Sequence, residues 1–561
     1  MAQEFPAFSA WLDDFFRTYY DRRPVNATFA GLHELDHRLP DYSEKASGET
    51  VDEMQALLAR LDTLPDEDLT PAAAMDRKLA AGYLRIQLWE FQSQHFYRGN
   101  PCLYTGEATF GVISLFLTDY APVGERVAAA VDRMNAVPIL LAQAEANIQE
   151  APQAWIEQAI DECVGALAFF NHGIDQLIQD HAIADPRFKQ SALAASAAFT
   201  RYQAHLETQL LRHATQGYAC GEEAFQRMLQ DGHCIDLDLD EYVRYAEAQI
   251  AEADAYLQAH AGDFGAASSV EALAKLADEH PTAAHYYQRF GEIWQACRAL
   301  AEKEKLVTWP DFPIEYVPQP LWAREAAPHL YFLPYRSPAA FNRPAVHRYL
   351  VPPLDPGLPA EKQERFLRTV NDSVIKSNHV VHHGSIGHHV QNWNASRSAS
   401  RIGQMAATDC ASRLAMFCAG TMAEGWAVYV GDLMAEVGFL TPLEVYAEAQ
   451  SRRRMSARAV VDIQLHRGRF TLEEAAAYYQ GHGGMNKDFA FREAVKNSMF
   501  PGAAMMYLYG SDRIKQFREE MASLQGGSFR LQRFHDQFLS YGSVPVELVC
   551  REMKRTLIHA E

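Results

Sequence analysis

Five of the 22 histidines fall within eleven residues, in Asn378-His379-Val380-Val381-His382-His383-Gly384-Ser385-Ile386-Gly387-His388-His389. Neutral imidazole is a common ligand for zinc and similar divalent ions, and a metal site needs several such groups to meet within about 2 to 2.2 Å of one point. At about 100° per residue, His379, His382, His383 and His389 lie toward one side of an unbroken helix, whereas His388 points away. Gly384 and Gly387 are poor helix formers, so a break, a π-bulge or a loop between them would turn His388 toward His382. The choice of second ligand depends on that distortion. Two other readings compete: a polar helix face of capping and hydrogen-bonded histidines, and a pH sensor made of imidazoles that titrate near about 6.5.

A third ligand is needed, and Glu424 in Met422-Ala-Glu-Gly-Trp-Ala-Val-Tyr429 is the best downstream candidate, on an otherwise apolar helix. A carboxylate in such surroundings is costly unless paired or bound to a cation. A salt bridge would satisfy it equally well. Arg452-Arg453-Arg454 with Arg458 could clamp a substrate carboxylate as arginine forks do, or form a solvated helix face. Tyr507 or Tyr509 could donate to a developing oxyanion, or simply pack. His466 and His482 read as structural or loop histidines. No Gly-rich phosphate cradle and no G-x-S-x-G elbow is present; Ser385 in Gly384-Ser385-Ile386-Gly387 lacks the strand-to-helix context an elbow requires.

The motif His382-His383-Gly384-Ser385-Ile386-Gly387-His388-His389, followed by Glu424-Gly425-Trp426-Ala427-Val428-Tyr429, resembles the signature of the bacterial domain-of-unknown-function 885 family, whose members are regarded as zinc metallopeptidase-like proteins with a largely helical fold. The resemblance extends through Pro24-Val-Asn-Ala-Thr-Phe-Ala-Gly-Leu-His33, Asn100-Pro-Cys-Leu-Tyr104, Arg458-Ala-Val-Val-Asp462 with Leu465-His466, Pro501-Gly502 with Tyr507 and Gly510, and Gly542-Ser-Val-Pro545. It implies that His382, His388 and Glu424 are metal ligands, that zinc is the expected divalent metal, and that Tyr507 and Arg458 lie near bound substrate. The family's general-base glutamate, beside the first histidine, is replaced here by His383. Ile386 stands for the usual proline, Lys496-Asn497 for Arg-Tyr, and Ala503 for glutamine.

The resemblance therefore implies a metal-dependent hydrolase of peptide, amide or ester bonds in a small substrate, with metal-bound water as nucleophile. Coordination lowers the pKa of water to about 7. His383 can still shuttle the proton, since its ordinary pKa is near working pH and such help is worth about 10² to 10⁴ in rate. Losing a carboxylate also leaves a more positive, nitrogen-rich site in which His382, His383 or His389 could bind metal, suiting anionic substrates or another transition metal. A metalloenzyme with non-peptidase chemistry and a catalytically silent metal- or ligand-binding relative are the alternatives.

The elements that must position these residues read as helices. Apolar residues recur at three-to-four spacing over most of the 561 positions. Starts are expected at Thr50-Val-Asp-Glu53, Thr70-Pro71, Thr441-Pro-Leu-Glu444 and Thr471-Leu-Glu-Glu474, and alanine-rich Ser191 to Thr200 reads as ordinary helix. Helices are expected over 70–97, 122–150, 154–182, 185–215 and 240–260. Twelve prolines between 306 and 359 forbid a long helix there and suggest short strands, with His329-Leu-Tyr-Phe-Leu and His347-Arg-Tyr-Leu-Val the β-type words. The expected fold is mainly α: an N-terminal helical lobe over 1–300, a proline-rich, partly extended connector over 301–360, and a C-terminal helical lobe over 361–561 carrying the metal motif, with the metal site in the cleft.

With 48% hydrophobic and 22% charged residues the chain can build a substantial core. A formal charge of −21 repels phosphate backbones, so nucleic acid is an unexpected partner. The longest apolar runs, 110–116 and 136–141, fall short of the roughly 20 residues that cross a bilayer. Eight scattered cysteines with no C-x-x-C pair read as buried thiols, and no secretory signal opens the sequence. The expected setting is cytoplasmic, with a small-molecule or peptide substrate as partner and no membrane.

Overall fold

The computed structural model describes residues 6–65, 69–330, 332–405 and 420–558. Cys410 and Cys418, two of the expected buried thiols, lie outside these residues. The described chain is mainly α-helical with two short parallel strand pairs. Among the described residues, no helix is long and apolar enough to cross a membrane.

Helix starts follow the capping chemistry. Thr441 and Thr471 both form full capping boxes, with Glu444 and Glu474 reaching back to the cap amides, and the Thr70 hydroxyl accepts from the Ala73 amide. Thr50 is a correction: it lies inside helix Glu44–Thr63, capped by Ser43, and its hydroxyl donates to the Ala46 carbonyl. The expected 154–182 helix is interrupted by a π-helical turn at Phe169–Gly173, and the 185–215 one ends at Thr208.

The described residues divide into two compact units. One joins the chain up to Tyr218 to Gln319–Pro344; the other contains Ala219–Pro318 and the described residues from Ala345 onward. The expected boundaries at 300 and 360 differ from this division because proline content marks local backbone rather than packing partners. In the first unit, Phe341 donates its amide to Ala30 and His329 pairs with Asp161 at 2.7 Å. In the second, helix Leu239–His260 packs along helix Pro442–His466, where Tyr446 Oη donates to the Leu257 carbonyl at 2.6 Å.

The 24–33 motif has a structural role in the first unit. Fully buried Arg133 donates to the carbonyls of Pro24, Gly111 and Arg38 and to Thr28 Oγ1, whose hydroxyl donates to Asp36 at 2.6 Å. Each nitrogen of the guanidinium thereby finds an acceptor, which a buried charge requires.

In the second unit, strand Ile314–Pro318 pairs in parallel with His347–Val351. The β reading of 347–351 holds. The described residues of 329–333 form no strand, since His329 and Leu330 lie in a turn. Four of the described cysteines (Cys102, Cys163, Cys297 and Cys550) are buried, whereas Cys220 and Cys234 are only half-buried.

Helices Gly420–Glu436 and Met506–Gln525 cross where glycine faces glycine. A Cβ on Gly425 would lie 2.5 Å from Gly510 Cα, and one on Gly510 would overlap the Thr421 carbonyl and lie 2.7 Å from Gly425 Cα. Gly510→Ala is expected to lower stability by about 1–3 kcal/mol through overpacking. Gly48→Ala, in an exposed helix interior with nothing within 4 Å, is expected to raise stability by about 0.5–1 kcal/mol. Urea denaturation midpoints check both signs.

Candidate metal centre

The histidine segment is built on a distorted helix. Residues Ile375–Gly384 form a π-helix, whose wider turn is visible in side-chain bonds five residues back: His383 Nδ1 to the Asn378 carbonyl at 2.7 Å and Ser385 Oγ to the Val380 carbonyl at 2.8 Å. The helix stops at Ser385 and an ordinary helix resumes at His388–Ala395. The distortion left open by the sequence is therefore present, as both a π-helix and a break.

Both glycines of the break are sterically required. A Cβ on Gly387 would fall onto the His382 carbonyl and 2.6 Å from the Val381 oxygen; one on Gly384 would overlap the Tyr316 hydroxyl. The Gly387 amide donates to the Val381 carbonyl at 3.0 Å. This close return of the chain carries His388 back to His382, with ring centroids 4.8 Å apart.

His382, His383 and His388 each offer a ring nitrogen within 4.8 Å of the others. Glu424, from helix Gly420–Glu436, turns its Oε2 toward them, 3.4 Å from His382 Nε2 and 3.6 Å from His388 Nε2. These separations are long for charge-assisted hydrogen bonds, which run about 2.7–2.9 Å. They match the roughly 3.3 Å edge of a tetrahedron whose donors stand about 2.0–2.1 Å from its centre. Among the described residues, buried Glu424 Oε2 has no hydrogen-bond partner. The donor set therefore fits a divalent cation, with His382, His388 and Glu424 around it. His382 and Glu424 keep 20% and 17% of their side chains exposed, so the centre has an approach from outside.

The protonation states suit that use. Burial pushes His388 down to about 4, despite Glu424. Burial and the two neighbouring rings hold His383 well below its ordinary range. Burial works to raise the Glu424 carboxyl, but His388 and His382 outweigh it and hold it below the usual range. Neutral rings and an ionised carboxylate are the ligand forms that a cation needs. Because the Asn378 carbonyl can only accept, His383 Nδ1 carries the proton and Nε2 keeps the lone pair.

The second motif holds Glu424 in place. Trp426 Nε1 donates to the Ile386 carbonyl at 2.8 Å, tying the glutamate helix to the break itself. Tyr429 Oη donates to His535 Nε2 at 2.8 Å, and His535 Nδ1 donates to the Leu306 carbonyl at 2.6 Å. Trp294 Nε1 donates to the Gly384 carbonyl at 2.8 Å. His535 and Trp294 carry no local sequence signal, since each acts across the fold.

The other expected residues divide. His379 is buried and bonded to Tyr349 Oη at 2.6 Å. His389 is buried, bonded to the Phe312 carbonyl and stacked on the Phe312 ring. Neither joins the cluster. Arg458 and Tyr507 come together, with the guanidinium 4.7 Å from the ring centroid and paired to Glu493. The Gly420 contact with Met506 and the Gly425 contact with Gly510 bracket the levels of Glu424 and Tyr507 along their two helices. Tyr509 donates to Glu547 at 2.7 Å and half packs. His466 is buried on the Asn497 carbonyl, while His482 lies against Tyr478. Ser385 is fully buried, which excludes it as an accessible nucleophile. Asp462, quoted in the sequence only as part of a motif, accepts the amides of Gly502 and Met505 and so fixes the 501–505 turn.

A family model described as "Bacterial protein of unknown function (DUF885)" matches residues 24–553. A structure described as a putative lipoprotein of unknown function from Shewanella oneidensis superposes with a TM-score of 0.77 at 22% identity, covering 98% of this chain and 99% of that one. A putative lipoprotein from Colwellia psychrerythraea gives a TM-score of 0.77 at 16% identity, covering 99% of each. At these identities the likeness concerns the fold. No curated protein matches.

Burial lowers His535 to about 4. A histidine whose folded pKa lies below its unfolded value stabilises fully above about 6.5, and that contribution is lost as pH falls through about 4. The loss amounts to about 3 kcal/mol at most. Stability from urea denaturation is expected to fall more steeply between about pH 6.5 and 4 in the native chain than in His535→Gln, which keeps hydrogen-bonding capacity without titrating. Equal slopes would remove His535 from the acid response.

Proposed function

The chain belongs to the DUF885 family of bacterial proteins of unknown function, and from that premise and the geometry above we propose that it is a metal-dependent hydrolase. It cleaves peptide, amide or ester bonds in a small substrate, with zinc the expected ion. The observation that carries this reading is the buried Glu424 Oε2, without a hydrogen-bond donor among the described residues and 3.4 and 3.6 Å from two imidazole nitrogens.

His382, His388 and Glu424 would hold the ion, which when bound supplies a Lewis acid and lowers the pKa of water to about 7. His383 stands where the family carries its glutamate. Its Nε2 accepts the proton of the attacking water and returns it to the leaving group. The Asn378 carbonyl on Nδ1–H orients the ring and stabilises the imidazolium that forms in between. Burial keeps the ring neutral beforehand, which a base requires.

One observation favours a second reading. The His383 ligand atom lies within 4.8 Å of those of His382 and His388, so His383 could itself coordinate. Four protein ligands make a closed site of the structural kind, whereas catalytic sites keep a position open. That arrangement would suit a silent metal-binding relative or a non-peptidase metalloenzyme.

The cytoplasmic setting remains part of the proposal. The six described cysteines are all unpaired, in keeping with a reducing compartment. The two solved proteins are described as putative lipoproteins, and fractionation of the native protein tests the cytoplasmic setting.

Protein purified without chelator is expected to carry one divalent ion by elemental analysis, and His382→Ala and Glu424→Gln to lose it. His383→Ala is expected to keep the ion while turnover of an amide or ester library falls by about 10² to 10⁴. Loss of the ion in His383→Ala would establish the closed four-ligand site instead. Native protein without any ion would overturn both readings.

A further inference from the structure

The arginine run on helix Pro442–His466 is unevenly neutralised. Arg452 pairs with Asp512, whose Oδ2 lies 3.0 Å from its Nη2, and Arg453 pairs with Asp254 at 2.8 Å. Arg454 takes part in none of the ion pairs found among the described residues, and its buried Nε has no hydrogen-bond partner among them.

Four residues on, and therefore one turn along the same face, Arg458 is 9% exposed and its Nε also lacks a partner among the described residues. Glu493 is the carboxylate beside these two guanidiniums, and it binds Arg458 while sharing Oε1 with Lys496 Nζ at 3.4 Å. Asp462, a further turn along, is committed to the amides of Gly502 and Met505. Among the described residues, two guanidiniums and an ammonium thus face a single carboxylate. Like charges at this spacing repel, and burial strengthens the repulsion. Burial and the Arg458 charge accordingly pull the Arg454 guanidinium below its ordinary range. Such an arrangement is stabilised by an anion that supplies the missing charge and accepts the idle N–H donors.

We propose that Arg454 and Arg458 form a carboxylate-recognition pocket, so that the substrate class is a small peptide or acylated amino acid with a free carboxylate. The planar fork of each guanidinium matches a carboxylate. The pocket lies beside Tyr507, under the Arg458 guanidinium, on the helix that crosses Glu424's helix at Gly510 and Gly425. The assignment of the bound molecule as substrate rests on the hydrolase reading; the existence of the pocket does not.

The test is calorimetric titration of the full-length, metal-free chain with N-acetyl-Ala-Ala, its C-terminal amide, and inorganic phosphate. The free acid is expected to bind at least about tenfold more tightly than the amide, as a charge-assisted pair requires. Arg454→Met, which keeps the aliphatic stem and breaks no ion pair, is expected to remove that preference with an unchanged or higher melting temperature. Arg453→Met, which loses the Asp254 pair, is expected to lower the melting temperature and keep the preference. Equal binding of acid and amide, absence of acid binding, binding of phosphate alone, or an undiminished acid preference in folded Arg454→Met would each overturn the pocket. Turnover of a library without acid preference would leave the hydrolase standing while the pocket falls. An acid preference in binding without turnover would do the reverse.

Discussion

Turning Glu424 Oε2 inward costs solvation that a hydrogen-bond donor or a cation must restore, and two imidazole nitrogens at 3.4 and 3.6 Å are too far to restore it by themselves. The surrounding structure is arranged to keep the oxygen there. Trp426, two residues on, is tied to the Ile386 carbonyl, and Tyr429 is tied through His535 to Leu306. The glycine crossing at Gly425 and Gly510 lets the glutamate helix lie against its neighbour without an intervening side chain. The position of this candidate ligand oxygen is thus maintained by three contacts outside the cluster, as hydrogen-bond partners behind the ligands do in metal sites.

The histidine side of the cluster depends on backbone rather than on side-chain packing. A regular helix would separate His388 from His382 by about a third of a turn of the wheel. The π-helical stretch and the close return at Gly387 replace that helix, at a conformational cost met by Trp294 on the Gly384 carbonyl and by the Gly387 amide on Val381. Gly387 permits the return because any side chain would occupy the space of the His382 carbonyl. Helix irregularity at a candidate site is the recurring use of such π segments.

Much of this was legible in the sequence for stated reasons. The histidine density, the two glycines and the isolated Glu424 are local signals, and the capping boxes at 441 and 471 are chemistry written in four residues each. Thr50 misled because Thr-x-x-Glu also occurs in helix interiors, where Thr50 donates back to Ala46 instead of capping. The strand partner of His347–Val351 was not legible: Ile314–Pro318 carries two polar or proline positions and gains its pairing only from tertiary position. The unit boundaries were hidden for the same reason, since Tyr446 reaching Leu257 spans 189 positions of sequence. Trp294 and His535 acquire their roles only once distant segments meet.

The departures that the resemblance implies are unequal once their atoms are considered. At 386 the contribution is the backbone carbonyl that receives Trp426, and proline would offer the same carbonyl. At 503 the turn is held by the amides of Gly502 and Met505 on Asp462, so the side chain between them is free to change. Lys496 keeps a positive charge on Glu493, and Asn497 keeps a hydrogen bond, to Tyr479. Only at 383 does the exchange alter the group facing the ligand nitrogens. The anionic acceptor that the resemblance implies is exchanged for an imidazole whose Nδ1 is already committed to Asn378, leaving a single lone pair on Nε2. That lone pair can take a proton or hold an ion, but it cannot do both at once, and the choice between the two proposed readings turns on which it does.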